Sequence, residues 1–267
     1  MEKTGRPFAK KSLGQNFLVD SKVVDRIVQA LELVESDVVL EIGPGPGALT
    51  ERLAPKCAEL LLVEKDDRFA SDLAIRFTDQ NVRVLHADFL ELDLEMITSG
   101  RTVKVVGNLP YNVGTAIVQK IAERLGLVQR AVFMLQREVV DRIVAPESSS
   151  DRGFLSVMCQ HSFIAEKLFD VPPGAFRPSP KVTSSVVRLT PRQASLIPEF
   201  EPTFRSIVSA GFSHRRKTLF NNLKSSGLYP QELLLSSLSE AAIEKDRRAE
   251  SLSVDDWIKL SEKLGSI

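Results

Sequence analysis

The sequence predicts an α/β domain built on a mostly parallel sheet of seven strands, followed by a small all-helical domain. Short apolar runs rich in β-branched residues alternate with helical patterns in the first part of the chain, as expected for strands buried on both faces. Beyond a proline-bounded linker at Pro191–Pro202, the apolar spacing is helical throughout. A length of 267 residues suits one large domain with an appendage. We therefore predict two domains, residues 1–191 and 192–267.

Composition excludes several classes of protein. No run of about 18 apolar residues is present, so no membrane span is expected. The first residues lack the apolar stretch of a signal peptide. Cys57 and Cys159 lie far apart in apolar surroundings, which favours a reduced, cytoplasmic chain. The three histidines and two cysteines show no metal-site spacing, so we expect no metal.

Charge is unevenly distributed although the formal net charge is zero. Residues 176–224 contain nine Lys or Arg against two Asp or Glu, whereas residues 31–175 are acidic. Such segregation allows a local basic surface for nucleic-acid phosphates. On charge alone, solvated faces that average out in three dimensions explain the pattern equally well.

The chain begins with a basic arm, Phe8–Asp20, that contains Lys10 and Lys11. Asp20 is a predicted N-cap, and the apolar stripe that starts at Val23 predicts the first helix. Val38–Ile42 is the first strand of the sheet.

Three glycines, Gly43, Gly45 and Gly47, end this strand in a turn that leads into a helix. Glycine permits a tight turn and lets the backbone approach a ligand closely. Strand, glycine turn and helix form the opening unit of a Rossmann-like nucleotide-binding domain. The Gly-x-Gly-x-Gly spacing differs from that of dinucleotide folds, and Glu41 lies inside the strand end. Both features fit a ligand without a pyrophosphate, such as S-adenosylmethionine; a purely structural turn is the alternative.

Two acids follow the next two strands. Glu64 ends the strand Leu60–Val63, where it could accept hydrogen bonds from both ribose hydroxyls of an adenosine-containing ligand. Asp88 follows the strand Val82–His86 and could accept from an adenine amino group, although an ordinary helix cap would look the same.

The fourth strand, Val103–Gly107, leads into the tetrapeptide Asn108-Leu109-Pro110-Tyr111. The lone pair of an adenine amino nitrogen is delocalised into the ring, so a site that methylates it must localise that pair. The side-chain carbonyl of Asn108 and the backbone carbonyl of Leu109 could each accept one amino hydrogen. Pro110 stiffens the turn, and Tyr111 offers a face on which an extruded base can stack. The alternative is a strand-ending turn with a packed tyrosine.

The remainder of the first domain contains three more predicted strands: Arg130–Leu135, one within Phe154–Phe169, and Thr183–Leu189. A proline-rich loop at Val171–Lys181 holds Phe176 on a rigid support, which suits either base stacking or plugging of the core. In the helical domain, Arg215-Arg216-Lys217 is a basic cluster suited to phosphates.

These segments together resemble the KsgA (RsmA) family of small-subunit ribosomal RNA adenine N6,N6-dimethyltransferases. The resemblance rests on five segments in order: Gln15–Leu18, Glu41–Gly45, Asn108–Tyr111, Phe176 with Pro178–Val182, and Arg215–Lys217. It extends from about Phe8 to the C-terminus. The glycine turn alone is shared with most class I methyltransferases.

The resemblance implies the fold of a class I methyltransferase and four methyl transfers from S-adenosylmethionine, leaving S-adenosylhomocysteine. The acceptors would be N6 of two adjacent adenosines in the loop of the 3′-terminal hairpin of 16S ribosomal RNA, within an immature small subunit. We expect a cytoplasmic monomer. The implied cofactor residues are Asn16, Leu18, Gly43, Gly45, Glu64, Asp88 and Asn108. The implied catalytic residues are Asn108, Leu109, Pro110, Tyr111 and Phe176, with Phe176 as a second stacking aromatic. The expected RNA contacts are Lys10, Lys11, Arg177, Lys181, Arg215, Arg216 and Lys217.

Three alternative functions agree less well with this sequence. The related large-subunit methylases that confer macrolide resistance share the fold, but Leu109 and the Arg-Arg-Lys segment favour the small-subunit family. A non-catalytic RNA-binding assembly factor would be expected to have a damaged glycine turn or tetrapeptide, and both are intact. The glycine spacing disfavours a nicotinamide oxidoreductase.

Overall fold

The computed structural model describes residues 15–78, 81–192 and 198–265. Within these ranges the chain forms two compact units. The first comprises the residues up to Val140 together with Ile164–Pro191, and the second comprises Asp141–Phe163 and the residues from Arg192 onward.

A seven-stranded sheet forms the centre of the first unit. In chain order its strands are β2 (Val38–Ile42), β3 (Glu59–Glu64), β4 (Val82–His86), β5 (Val103–Asn108), β6 (Val128–Gln136), β7 (Phe163–Val171) and β9 (Ser184–Pro191). Two short strands, β1 (Phe17–Leu18) and β8 (Phe176–Arg177), form a separate antiparallel pair. The order across the large sheet is β4-β3-β2-β5-β6-β9-β7. The predicted seven-stranded sheet is therefore confirmed.

The pairing explains where a ligand can bind. Strand β2 is parallel to β3 and β5, β3 is parallel to β4, and β5 is parallel to β6, whereas β9 is antiparallel to β6. After β2 the chain builds the sheet in one direction through β3 and β4, then returns to place β5 on the other side of β2. This reversal makes the carboxyl ends of β2 and β5 the topological switch point, where open α/β sheets bind ligands.

The helices of the first unit are α1 (Ser21–Ala30), α2 (Thr50–Leu53), α3 (Asp67–Arg76), α4 (Leu94–Thr98) and α5 (Gly114–Ala122). As predicted, Asp20 caps α1, because its side chain accepts hydrogen bonds from the backbone N–H groups of Lys22 and Val23. The apolar face of α1 is buried against the core of the sheet. The chain then passes into the second unit within α6 (Arg137–Ile143).

Five helices pack in the second unit: α7 (Phe154–Ser162), α8 (Glu201–Gly211), α9 (Leu219–Ser226), α10 (Gln231–Glu240) and α11 (Val254–Gly265). Trp257 is fully buried among them. Gly211 on α8 lies against its ring, where an added Cβ would come within 2.4 Å of the Trp257 Cη2 atom. Close packing on the single tryptophan therefore requires glycine at this position.

The predicted domain boundary needs one correction. The division at residues 191 and 192 agrees with the structure, but Asp141–Phe163, which the sequence assigned to the first domain, belongs to the helical unit. Val157 and Met158 on α7 are buried in the core formed by α8 to α11. The fully buried Arg152 donates to the carbonyl oxygen of Leu252, which ties the preceding loop to the same unit. Helical periodicity shows that a face is apolar but not which core receives it.

None of the helices in the described ranges has both the length and the apolar character needed to span a bilayer.

Candidate active site

A cavity of about 160 Å³ lies at the switch point, beside the carboxyl ends of β2, β3 and β5. The turn after β2, the loop after β4 and the segment around β1 complete its wall. The lining includes all seven residues predicted to bind a cofactor, namely Asn16, Leu18, Gly43, Gly45, Glu64, Asp88 and Asn108. It also includes Leu109, Pro110 and Tyr111.

The glycine turn forms the floor of this cavity. Gly43 and Gly45 have φ values of +66° and +54°, which residues with a side chain rarely adopt. A Cβ added to Gly43 would meet no atom within 4 Å, so the backbone there is open to a ligand. A Cβ added to Gly45 would lie 3.3 Å from the ring of Phe17. The turn therefore needs glycine for its backbone conformation and for its contact with the segment around β1.

Glu64 lies at the end of β3 and is almost completely buried. Its Oε2 atom accepts the backbone N–H of Gly45 at 2.9 Å, and Oε1 accepts that of Asp66 at 2.7 Å. Burial raises the pKa of Glu64, while these backbone hydrogen bonds lower it. The two bonds hold the carboxyl group against the glycine turn, where each oxygen keeps a second lone pair for a hydroxyl donor.

Asp88 follows β4 and caps a short 3₁₀-helix through the backbone N–H of Leu90. Its other oxygen accepts the Nζ of Lys65 at 2.6 Å. The hydrogen bond from Lys65 is the main cause that lowers the pKa of Asp88, so the carboxylate stays ionised. Asp88 is therefore a helix cap that also lines the cavity, and acceptance of an adenine amino hydrogen by Asp88 stays a prediction.

The tetrapeptide after β5 is held from several sides. The Nδ2 atom of Asn108 donates to the carbonyl oxygen of Asn16 at 2.9 Å. Because the amide nitrogen is engaged, the side-chain carbonyl oxygen is the atom available to a ligand. The backbone N–H of Leu109 donates to the carbonyl of Met134 on β6. No hydrogen bond among the described residues uses the carbonyl oxygen of Leu109.

Pro110 and Tyr111 shape the exit from the strand. The carbonyl of Pro110 accepts the backbone N–H groups of Val113 and Gly114, which starts α5. The hydroxyl of Tyr111 forms a 2.8 Å hydrogen bond with the hydroxyl of Ser184, the first residue of β9. The phenol is therefore anchored at its polar end while its ring lines the cavity.

The segment around β1 crosses the cavity. Phe17 packs edge-on against Phe69 of α3, with ring centroids 5.2 Å apart. Leu18 pairs with Phe176 in the short two-stranded sheet, and the N–H of Val19 donates to Ala175. Phe17 is not among the predicted site residues. An aromatic residue two positions after Gln15 is visible in the sequence, but the sequence does not show that its ring packs against Gly45.

The prediction that Phe176 stacks on a base needs correction. Its side chain is 1% exposed and belongs to the core of the first unit, with Leu18, Ala175 and Val186. It is absent from the lining of the cavity. A ring packed on both faces offers no surface to a base, so the alternative of a core plug describes its position.

The predicted site residues also omit Glu41, which lines the cavity. Glu41 is 1% exposed on the central strand β2, and its Oε2 atom accepts the hydroxyl of Thr50 at 2.7 Å. Burial is the main cause that raises the pKa of this carboxyl to about 8. An acid within an otherwise apolar strand was the signal in the sequence.

The residues predicted to contact RNA are distributed over both units. Arg177 and Lys181 are exposed in the first unit, and Arg215, Arg216 and Lys217 are exposed in the loop between α8 and α9 of the second. Arg177 donates to the carbonyl oxygens of Gly174 and Phe176. Lys10 and Lys11 lie outside the described residues.

Comparison with known proteins shows to which family this chain belongs. The family model for ribosomal RNA adenine dimethylase matches residues 8–265. The ribosomal RNA small subunit methyltransferase A of Geobacter metallireducens is 42% identical, over 95% of this chain and 94% of its own length. The protein of that name from Xanthomonas campestris pv. campestris is 43% identical over 95% of both chains.

Solved structures show the same fold. A 23S rRNA methyltransferase, ErmE, has a TM-score of 0.73 and 28% identity, over 93% of this chain and 99% of its own. A dimethyladenosine transferase from Plasmodium falciparum has a TM-score of 0.80 and 24% identity, over 91% of this chain and 95% of its own. The first unit thus has the class I methyltransferase fold, as predicted. The chain belongs to the ribosomal RNA adenine dimethylase family, and it is a methyltransferase.

Proposed function

We propose that this protein transfers methyl groups from S-adenosylmethionine to N6 of two adjacent adenosines in small-subunit ribosomal RNA. The observation that carries the proposal is the position of Asn108, whose amide is oriented by Asn16 in the wall of the cavity that contains Gly43. We further propose that the adenosines lie in the loop of the 3′-terminal hairpin of 16S RNA. We expect the protein to act in the cytoplasm, as a monomer, on an immature subunit.

The residues in the cavity fit S-adenosylmethionine. Gly43 presents backbone without a side chain, which permits close approach of a ligand. Glu64 would accept from the ribose hydroxyls and Asp88 from the adenine amino group. Both residues line the cavity, together with Asn16, Leu18 and Gly45. When bound, this cofactor supplies an electrophilic methyl group on a positively charged sulfur.

The chain's own residues would prepare the acceptor. The side-chain carbonyl of Asn108 and the backbone carbonyl of Leu109 would each accept one hydrogen of the target amino group. This localises the nitrogen lone pair and directs it toward the cavity. Tyr111 would support the extruded base through its ring, and Pro110 limits the motion of the turn that holds both acceptors.

Positioning would then supply most of the rate. Two reactants held in line avoid the entropic cost of a bimolecular encounter, and a good leaving group needs little acid–base help. Among the described residues that line the cavity there is no histidine, and we propose that the proton of the amino group leaves to water after transfer.

The choice of the small subunit rests on the sequence comparisons. The relatives named small subunit methyltransferase A are 42 to 43% identical to this chain, whereas the 23S rRNA methyltransferase is 28% identical. The intact tetrapeptide and glycine turn support catalysis over a purely scaffolding role.

The test is incubation of the protein with radiolabelled methyl donor and unmethylated small subunits, followed by nucleoside analysis. We expect label in dimethyladenosine, two residues per subunit, with unmethylated large subunits as the control substrate. Labelled large subunits would instead favour the alternative activity. The absence of label from both would overturn the proposal.

A further inference from the structure

Glu41 is a buried acid in the wall of the cavity that the mechanism above does not use. Its side chain is 1% exposed, and the hydroxyl of Thr50 on α2 donates to its Oε2 atom at 2.7 Å. No Lys, Arg or His in the described ranges forms an ion pair with it. An ionised carboxylate in such surroundings is costly, because one hydroxyl does not replace its hydration.

The groups that face Glu41 do not supply a positive charge. Its partners in the sheet are Leu62 on β3 and Val106 on β5, both apolar. Glu64 at the end of β3 is close enough to disfavour a second negative charge. The other charged residues of the lining are Lys65 and Asp88, and these two pair with each other.

These surroundings keep Glu41 mostly neutral at pH 7. Burial is the largest cause that raises its pKa, Glu64 raises it further, and the hydrogen bond from Thr50 lowers it, with a result of about 8. The cavity therefore contains a group whose charge a ligand can change. A cation bound beside it would stabilise the carboxylate form.

We propose that Glu41 is a specificity residue for the charge of the cofactor: it is a neutral acid in the free protein and becomes a carboxylate when the positively charged methyl donor occupies the cavity. This inference rests on the proposed function, which brings S-adenosylmethionine to this cavity. On binding, the O–H bond of Glu41 breaks and the proton passes to solvent, while Thr50 continues to donate to the carboxylate.

The same linkage would act after methyl transfer. The sulfur loses its positive charge when the methyl group departs, and the carboxylate of Glu41 then regains a proton from solvent. The donor and its demethylated product differ by this one charge, so Glu41 favours the donor. Reprotonation of Glu41 would lower the affinity of the cavity for the product.

Isothermal titration calorimetry tests the proposal. S-adenosylmethionine and S-adenosylhomocysteine are titrated into the full-length protein at pH 7 and pH 9, in pairs of buffers with different ionisation enthalpies. We expect release of about 0.9 proton per methyl donor at pH 7 and about 0.1 at pH 9, because the group is already ionised at the higher pH. The neutral-sulfur product should release clearly fewer protons.

Variants test whether Glu41 is the group that releases the proton. Glu41→Gln should abolish the release and remove the roughly tenfold gain in donor affinity per pH unit that is expected below pH 8. Glu51→Gln, an exposed acid on the same helix as Thr50, is the matched control and should behave as the wild type. If Glu41→Gln does not fold, Thr50→Val removes the donor alone and should shift the release to higher pH.

Equal proton release for donor and product, no release by the wild type, or unchanged release in Glu41→Gln would each overturn the inference. Binding of both nucleosides without proton release would leave the proposed function intact. If neither nucleoside binds, the proposed function fails as well.

Discussion

Asn108 donates its side-chain amide nitrogen to the carbonyl oxygen of Asn16, 92 residues earlier in the chain and 2.9 Å away. The bond joins the carboxyl end of β5 to the segment that crosses the cavity. It also determines which atom of the amide remains for a ligand, since the nitrogen is engaged. Because the carbonyl of Asn16 already orients the Asn108 amide, little reorganisation is needed when substrate arrives.

The first prediction concerns this acceptor. Asn108→Ala should lower the rate of methyl transfer at least 100-fold, because loss of one preorganised hydrogen-bonding group typically costs about 3 kcal/mol. Affinity for S-adenosylhomocysteine, measured by calorimetry, should remain within about tenfold. Gln129→Ala, which removes an exposed amide side chain on β6 outside the cavity lining, is the control and should keep full activity. Full activity of Asn108→Ala would remove this residue from the mechanism.

A second prediction separates the ring of Tyr111 from its hydroxyl. Tyr111→Phe keeps the stacking face and loses only the hydrogen bond to Ser184, so single-turnover methylation should fall by less than about tenfold. The single-turnover rate of Tyr111→Ala should be about 5- to 150-fold lower again, as expected for the loss of about 1–3 kcal/mol of stacking. Ser184→Ala should match Tyr111→Phe. Equal rates for Tyr111→Phe and Tyr111→Ala would rule out a stacking role.

The buried position of Phe176 leads to the third prediction. Phe176→Ala should lower the free energy of unfolding by about 3–5 kcal/mol, because it creates a cavity in the core. Urea denaturation measures this change. Phe176→Leu should restore most of the stability, and with it most of the activity. A Leu variant that is stable but inactive would show that the ring leaves the core to stack on a base, as the family resemblance first suggested.

Glu41 should also give the fold a distinctive pH dependence. The folded protein holds its proton up to about pH 8, whereas the unfolded chain releases it near the ordinary value of 4.5. Between these values the unfolded state binds fewer protons, so stability falls by about 1.4 kcal/mol per pH unit as pH rises.

Glu41→Gln lacks this slope. The unfolding free energy of the variant minus that of the wild type should therefore increase by about 2–3 kcal/mol between pH 5.5 and pH 7.5. Urea denaturation at the two pH values gives the comparison, and subtraction cancels the other titrating groups. A difference that does not change with pH would show that Glu41 ionises normally in the folded protein.

The final prediction concerns the basic cluster in the loop between α8 and α9. Replacing Arg215, Arg216 and Lys217 with Gln should weaken RNA binding at low salt and reduce the salt dependence by up to about 2–3 in the slope of log K against log salt. Affinity for S-adenosylmethionine should not change. Replacing Lys245, Arg248 and Lys259, which are exposed in the same unit, removes equal charge and is the control. Equal effects of the two triple variants would show a non-specific contribution of net charge.

Local sequence patterns determined much of this fold. Runs rich in apolar and β-branched residues located six of the seven strands of the large sheet, as expected for strands buried in a sheet. The seventh, β7, was expected only within Phe154–Phe169, whereas it spans Phe163–Val171 and has many partly exposed residues. Asp20 was recognised as a cap, and glycine at positions 43 and 45 was required by the positive φ of the turn. Placement of Glu64, Asp88 and Asn108 in one cavity followed from a topological rule, since parallel strands end at the same edge of a sheet.

Contacts between distant segments were decided only by the tertiary structure. The sequence of the proline-rich loop allowed the Phe176 ring either to face a base or to enter the core. In the folded protein the ring is buried in the core that also contains Leu18 and Val186. Residues 141–163 joined the helical unit because Val157 and Met158 are buried there, which periodicity does not reveal. The acid of Glu41 was visible in the sequence, but its environment depends on Thr50 and Glu64, brought together from separate elements. A local pattern shows which surface a residue can bury; the free energy of burial depends on the partners that the whole chain folds against it.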